Sequence, residues 1–362
     1  MKKIIVLIIF MTAFLAVRPM TAYSADIPDL DSEINSQLDD ILRDYDIDYT
    51  ADSLENISLG QMFGIIKEYT LGRISAPFKI LAEIFMIVIF TAVMKSFGEV
   101  MKSEKTPIYS MICVMAAVSV IFPQLMTAYE NTFSSLERGG GFLAVFVPVF
   151  TAVSAAGGGI SSAGVYNIMI LAASEIIVQL SRNFLLPVLG VSAALSVTGS
   201  IFPNNSLDAL VQLIKKITVW TITVLMTFFT GFVTLKCTIA GKADSFASKT
   251  VKYVLSGAVP IVGGAVSDAY ATVRGSFDVV KATVGSIGIT AILLVMLPPV
   301  IEIMIFRLVM WTGSAAAELF SAESINKLLK SFDSGLAIAQ SLLVCYSMMF
   351  ILCSAILMNT MG

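Results

Sequence analysis

The sequence contains no histidine, and charged residues make up only 14% of its 362 positions. Without imidazole, the chain can form neither a Ser-His-Asp triad nor a histidine-ligated metal site. Ordinary soluble domains carry about 25% charged residues and about 45–50% apolar ones, whereas 57% of this chain is hydrophobic. Such a chain cannot cover its own surface in water. The composition therefore predicts an all-α polytopic membrane protein.

Cysteine is scarce as well, with four residues and no C-x-x-C pair. All four lie inside apolar runs, so we interpret them as small buried side chains and not as a zinc site or disulfide framework. A Walker A loop is absent, which argues against ATP-driven work by this chain alone. A basic footprint for nucleic acid is also missing. We predict no cofactor, no metal, no nucleic-acid partner and no enzymatic activity.

The N-terminus has the pattern of a secretory signal peptide. Lys2 and Lys3 precede an apolar run of about 14 residues, and Ala22 and Ser24 supply a small-residue cleavage site. A retained membrane anchor is the weaker alternative, because a spanning helix needs about 20 apolar residues. We therefore predict a signal peptide over residues 1–24.

An acidic extracytoplasmic segment over residues 25–76 should follow. Between Asp26 and Ala76, twelve acidic residues outnumber three basic ones, whereas the chain after Ala76 carries seventeen basic and fourteen acidic residues. Two interpretations stay open here. The segment is either a solvated lead-in or a docking site for proteins outside the cytoplasm.

Residues 77–362 then form a multi-pass membrane domain of about seven to eight transmembrane helices. The first span covers about Phe78 to Phe97 and is followed by a cluster of lysines at positions 95, 102 and 105. The positive-inside rule places this cluster in the cytoplasm. A second span, over about Ile108 to Tyr129, should return the chain to the outside.

Two later segments are interrupted by proline and glycine and predict re-entrant or discontinuous helices. The first, Phe142–Asn167, contains Pro148, Gly157, Gly158 and Gly159. The second, Lys252–Ser276, contains Pro260, Gly263, Gly264 and Asp268. At an offset of 112 residues, Pro148 aligns with Pro260. Three predicted crossings separate the copies, so the pattern favours an inverted repeat, as in many transporters. For the three glycines, a tight turn that lets helices pack closely is the simpler interpretation.

The spans between and after these segments are predicted at about 165–181 and 184–202, which Arg182-Asn183 separates, and at about 217–235. Lysines 236, 242, 249 and 252 follow the last of these and should be cytoplasmic. The stretch from 283 to 313 contains Pro298-Pro299 and is either one kinked helix or two short ones. An amphipathic stretch over 315–334 precedes the final span.

Ionisable groups at membrane depth are the candidates for function, because a charge at the bilayer centre costs about 2.5–3.5 kcal/mol on insertion scales. Glu175 and Arg182 lie two turns apart on one helical face. Glu302 and Arg307 lie five residues apart and therefore do not share a face. Either Glu175 faces a polar pathway, or it locks two helices together while Arg182 reaches the membrane surface.

From Lys249 to Val273 the sequence, KTVKYVLSGAVPIVGGAVSDAYATV, resembles the stage III sporulation protein AE family of endospore-forming bacteria. The order of signal peptide, short extracytoplasmic segment and polytopic domain is also similar. The resemblance transfers four positions as structural residues, and no catalytic ones: Pro260, Gly263, Gly264 and Asp268.

The resemblance implies a subunit of the channel or secretion-like complex that links mother cell and forespore. Such a subunit would lie in the mother-cell membrane around the forespore. Its expected partners are other stage III sporulation membrane proteins, a separate cytoplasmic ATPase subunit, membrane lipid and further copies of itself. The alternative from the residues alone is a self-sufficient secondary transporter whose broken helices around Pro148 and Pro260 form a substrate site.

Overall fold

The computed structural model describes residues 75–100, 106–202, 207–258 and 263–359, together with the isolated Gly64. The predicted signal peptide and nearly all of the acidic segment lie outside these residues. In the described part of the chain every regular element is helical: α1 (Ser75–Val100), α2 (Thr106–Ala156), α3 (Ile160–Leu180), α4 (Leu186–Ile201), α5 (Leu207–Ala258), α6 (Gly263–Leu319) and α7 (Glu323–Asn359). The predicted all-α fold is confirmed.

Six helical rods in the described residues are long and apolar enough to cross a membrane, because α3 and α4 form a single rod. A π-helical turn at Ser181–Leu185 joins these two helices without reversing the chain. Where we expected Arg182-Asn183 to separate two spans, the helical path continues. The residues are apolar on both sides, and Pro187 lies in the first turn of α4 without reversing the chain.

The helices are much longer than a bilayer is thick. α2, α5 and α6 contain 51, 52 and 57 residues, which corresponds to about 75–85 Å at 1.5 Å per residue. The hydrocarbon core of a bilayer is about 30 Å thick. Each of these helices is therefore about two and a half to three times as long as the hydrocarbon core is thick.

Prolines do not end these helices. Pro123 and Pro148 lie inside α2, and Pro298 and Pro299 lie inside α6. Proline is tolerated inside membrane helices that are packed against other helices. Residues 283–313 thus belong to one helix, the first of the two alternatives above.

Consecutive rods from α2 onward run antiparallel. Gly157 lies against Phe277 and Gly139 against Met296, so α6 runs opposite to α2. Asp244 of α5 bonds to the first turn of α3. The bundle therefore has a glycine-turn end, which contains Gly157–Gly159, and a Ser321 end, which contains the turn between α6 and α7.

At the Ser321 end, the α6–α7 turn brings α1 into the bundle. Ser321 has a positive φ of 54°, and its carbonyl accepts a hydrogen bond from Lys95 Nζ at 3.2 Å. α1 packs on α2 and α6, and Ile84 lies against Gly313. α1 thus runs parallel to α6, towards the Ser321 end.

This path changes the predicted topology. Only two rods, α3–α4 and α5, lie between the Gly157–Gly159 turn and the start of α6, so both interrupted segments reach the glycine-turn end in the same orientation. An inverted repeat would need an odd number of crossings. The lysines at 236–252 lie in the half of α5 nearer that end.

Aromatic packing along α2 forms the middle of the core. Phe142, Phe146 and Phe150 stack at successive centroid distances of 5.4 and 5.5 Å. Phe350 meets Phe146 edge-on at 5.9 Å, and Tyr166 meets Phe150 edge-on at 5.6 Å. Rings at these separations stabilise the core beyond their buried area, and they join α2, α3 and α7.

Candidate functional site: a polar belt between the helices

Polar side chains concentrate about halfway along the long helices. We call this set the polar belt and define it by its paired members: Asn131, Glu137, Ser174, Glu175, Gln179, Arg182, Asn183, Glu302, Arg307, Asp333, Gln340 and Tyr346. All four ionisable candidates from the sequence belong to it. A belt of this kind is expected where charges in apolar helices need partners.

Arg307 forms the most buried ion pair of the belt. Its Nε donates to Asp333 Oδ1 at 2.7 Å, and its Nη1 donates to Gln340 Oε1 at 2.6 Å. The side chains of Arg307 and Asp333 are only 12% and 16% exposed. The guanidinium also lies 5.1 Å from the ring centroid of Trp311. These contacts join α6 to α7 and neutralise both charges away from water.

Glu302 and Glu137 have partners on other helices. Glu302 Oε1 accepts from Asn131 Nδ2 at 3.2 Å, which joins α6 to α2. Glu137 of α2 pairs with Arg182 in the π-helical turn. The Glu137 and Arg182 side chains are 37% and 65% exposed, so this pair lies on the outside of the bundle.

Glu175 does not pair with Arg182, although the two share a helical face. Its Oε1 accepts from Gln179 Nε2 at 2.9 Å, and Gln179 Oε1 in turn accepts from Asn183 Nδ2 at 3.0 Å. This chain of exposed groups stays on one rod. The structure therefore does not place Glu175 in a buried polar pathway, and its role stays untested.

Two buried tyrosines continue the polar contacts inside the bundle. Tyr346 and Ser174 share a hydrogen bond of 2.6 Å, and Tyr166 and Ser354 share one of 2.7 Å. Both pairs join α3 to α7. Buried hydroxyls without partners are costly, so these contacts fix the register of the two helices.

The three glycines between α2 and α3 form a tight hairpin turn. Gly158 has a φ of 91°, a backbone conformation that glycine adopts without strain. A Cβ at Gly157 would lie 3.1 Å from the Cβ of Phe277. The turn therefore combines an unusual backbone with a close approach of α6. Pro148, by contrast, lies within continuous helix.

Asp244 caps the helix that starts at this turn. Its two carboxylate oxygens accept from the backbone N–H groups of Ser161 and Ser162 at 2.9 and 2.7 Å. The N-cap residue of α3 is Gly159, which has no side chain to do this. A carboxylate at a helix N-terminus also complements the helix dipole. Nearby on α6, Lys281 is 1% exposed, and its Nζ has no hydrogen-bond partner among the described residues.

In the second interrupted segment, the described residues Gly264 and Asp268 make no comparable close contact. Pro260 lies outside the described residues, and Gly263 is the first residue of α6. A Cβ added at Gly264 would have no heavy atom within 4 Å in the described part of the chain, and Asp268 is exposed. A structural role for these four positions (Pro260, Gly263, Gly264 and Asp268) stays a prediction that rests on the resemblance.

Several tightly packed glycines escaped the sequence reasoning. A Cβ at Gly288 would lie 2.0 Å from Phe146, and one at Gly335 would lie 2.0 Å from the hydroxyl of Tyr129. Another at Gly285 would lie 2.5 Å from the sulfur of Met358. No local motif marks these glycines, because each is defined by a residue far away in the sequence.

Within the residues that the structure describes, no group of three Cys, Asp or Glu side chains is arranged to hold a metal ion. The four cysteines are free thiols inside helices. What the polar belt can do chemically is to neutralise charges, join helices and fix their register.

Long apolar rods tied by buried polar pairs define the class of this molecule, an all-helical polytopic membrane protein. The model of the family described as stage III sporulation protein AE matches residues 45–361, and the chain belongs to that family. It is similar to the stage III sporulation protein AE of Bacillus subtilis (strain 168), with 20% identity over 285 residues. That alignment covers 78% of this chain and 71% of the relative. No solved structure matches the chain.

Proposed function

We propose that this chain is a non-enzymatic membrane subunit of a channel or secretion-like complex that joins mother cell and forespore during endospore development. The observation that carries the proposal is the family match over residues 45–361. Its site of action would be the mother-cell membrane around the forespore. Its partners would be other stage III sporulation membrane proteins and a separate cytoplasmic ATPase.

Two features of the molecule support a role within a larger assembly. The sequence has no Walker A loop, so energy would come from another subunit. The longest helices are about two and a half to three times as long as the hydrocarbon core is thick, so part of the bundle would project beyond the lipid. Protein partners could reach that projecting part.

An in-frame deletion in the native bacterium tests the proposal. We expect normal vegetative growth, followed by engulfed forespores that stay small or arrest when cells form endospores. The wild-type gene supplied in trans should restore development. Fluorescence microscopy of membrane-stained cells and counts of heat-resistant spores measure both effects.

Two results would overturn the proposal. Normal spore numbers in the deletion strain would remove the developmental role. A growth defect on particular nutrients, together with solute uptake by the purified chain in liposomes, would instead favour a self-sufficient secondary transporter.

A further inference from the structure

An exposed stripe of mixed character runs along the last part of α5. Five side chains, spaced three or four residues apart, define what we call the α5 stripe: Ile239, Lys242, Phe246, Lys249 and Tyr253. This spacing places all five on one face of the helix. Ile239, Phe246 and Tyr253 are 65%, 75% and 80% exposed, and both lysines are exposed as well. The stripe thus alternates large apolar side chains with positive charge.

The two lysines of the stripe have no partner in the described part of the chain. Neither Lys242 nor Lys249 forms a hydrogen bond or an ion pair there. The acidic residue of α5 nearest to them, Asp244, is 4% exposed and turned inward, where its carboxylate caps α3. The stripe therefore presents two positive charges on the outside of the bundle.

Neither hydrocarbon nor water alone suits this surface. Hydrocarbon would surround the ammonium groups of Lys242 and Lys249, and a charge in lipid is costly. Water would leave the rings of Phe246 and Tyr253 exposed, and exposed apolar patches rimmed by polar groups mark binding surfaces. A partner that combines apolar side chains with negative charge would satisfy both halves of the stripe.

The direction of the stripe favours a helical partner. From Ile239 to Tyr253 it extends about 21 Å along α5, at 1.5 Å per residue, and α5 runs along the bundle. A flat layer of lipid headgroups would cross such a rod and contact only a short length of it. A second helix that lies alongside α5 could contact the whole stripe.

The acidic segment of this chain has the matching composition. Between Asp26 and Asp48 it contains nine acidic residues and one basic residue. Apolar residues recur there at the spacing of one helical face: Leu30, Ile34, Leu38 and Ile41. The pattern predicts an acidic amphipathic helix, the complement of a basic and apolar stripe.

The acidic segment is also long enough to reach the stripe. α1 begins at Ser75 and runs parallel to α6, and Ile84 lies against Gly313. Because the glycine turn meets α6 at Phe277, Ser75 lies about 40 Å from the level of that turn along the bundle. The 26 residues between Asp48 and Ser75 can span about 85 Å when extended.

We propose that residues 26–48 of the acidic segment dock along the α5 stripe of the same chain. Their carboxylates would pair with Lys242 and Lys249, and their leucine and isoleucine side chains would cover Phe246 and Tyr253. Complementary charges of this kind select a partner and fix its register. Docking places these lysines on the same side of the membrane as the acidic segment, whereas the positive-inside rule alone favours the cytoplasm for them. The inference does not rest on the proposed role in sporulation.

A zero-length crosslink between carboxylates and amines tests the proposal. The purified full-length chain is placed in phosphatidylcholine nanodiscs and treated with a water-soluble carbodiimide, and crosslinked peptides are identified by mass spectrometry. Amide crosslinks should join residues 26–48 to Lys242 and Lys249 in the monomer band of a denaturing gel. Lys216 is the matched control, because it is exposed in the other half of α5 and should give no such crosslink.

The labelling rate of a cysteine beside the stripe gives a second, quantitative test. In a variant without the native cysteines, Thr250→Cys should react slowly with a maleimide because the docked segment covers it. Replacing Asp39, Asp40 and Asp44 with asparagine should speed the reaction by about fivefold, the effect of losing one surface ion pair. Thr223→Cys is the control, since Thr223 is an exposed threonine of α5 with the same hydroxyl contact to its own helix. Its rate should not change.

Three outcomes would overturn the proposal. Crosslinks as frequent to Lys216 as to Lys242 and Lys249, or none to the stripe, would show that the segment does not dock there. Crosslinks found only in a dimer band would assign the docked segment to a second copy of the chain. Protection of Thr250→Cys by added phosphatidylglycerol, without any effect of the aspartate replacements, would show that the stripe binds anionic lipid.

Discussion

Replacing Gly288 with alanine is expected to destabilise the bundle strongly. The new Cβ would lie 2.0 Å from Cζ of Phe146, a distance that requires the ring or the helix to move. Phe146 is stacked between Phe142 and Phe150 and is fully packed, so it has no empty space to enter. Overpacking of a dense core costs about 1–3 kcal/mol and occasionally more.

Gly275→Ala is the matched control for this prediction. Gly275 lies on the same helix as Gly288, but none of the described heavy atoms lies within 4 Å of the position of its Cβ. Alanine in a helix interior is favoured over glycine by about 0.5–1 kcal/mol. The two variants should therefore shift the unfolding temperature in detergent in opposite directions. Similar shifts of the same sign would contradict the packing described for α2 and α6.

Arg307→Met should be the most disruptive change in the polar belt. It leaves the carboxylate of Asp333 without its guanidinium partner at a site where both side chains are largely buried. It also removes the hydrogen bond to Gln340. Breaking a buried ion pair by removing one partner costs about 3–5 kcal/mol. Thermal unfolding of the purified variant in detergent measures this loss.

Two further variants separate the charge effect from a loss of packing. Replacing Asp333 with leucine in the Arg307→Met background should recover much of the stability, because the unpaired charge is gone. Arg182→Gln should cost less than Arg307→Met, since the Arg182 and Glu137 side chains are 65% and 37% exposed at the bundle surface, whereas those of Arg307 and Asp333 are 12% and 16% exposed. An Arg182→Gln loss as large as that of Arg307→Met would contradict the assignment of Arg307 as the buried anchor.

Composition and periodic apolar runs are enough to predict the all-α membrane fold, because lipid favours helices whose backbone bonds are internal. Composition and apolar runs do not predict where one helix ends and the next begins. A window of about 20 apolar residues fits a single crossing, so the sequence alone divides the 42-residue rod from Ile160 to Ile201 into two spans at Arg182-Asn183. Polar residues there face partners and do not mark a turn.

For a similar reason, the sequence alone reveals only some of the residues of the candidate functional site. Intramembrane charges are rare and visible in the sequence, so Glu175, Arg182, Glu302 and Arg307 can be singled out. Their partners cannot, because the contact between Arg307 and Asp333 depends on how α6 and α7 fold back on each other.

The central claim of this account is that the long helices run uninterrupted from one end of the bundle to the other. A distance between spin labels at Ile168→Cys and Thr198→Cys, measured by pulsed electron paramagnetic resonance in a variant without the native cysteines, tests it directly. Both positions are exposed. A continuous rod over 30 residues predicts about 45 Å between the backbone positions. A distance near 10–15 Å, the spacing of adjacent packed helices plus label reach, would mean that the chain reverses at Arg182-Asn183 and would contradict the fold described above.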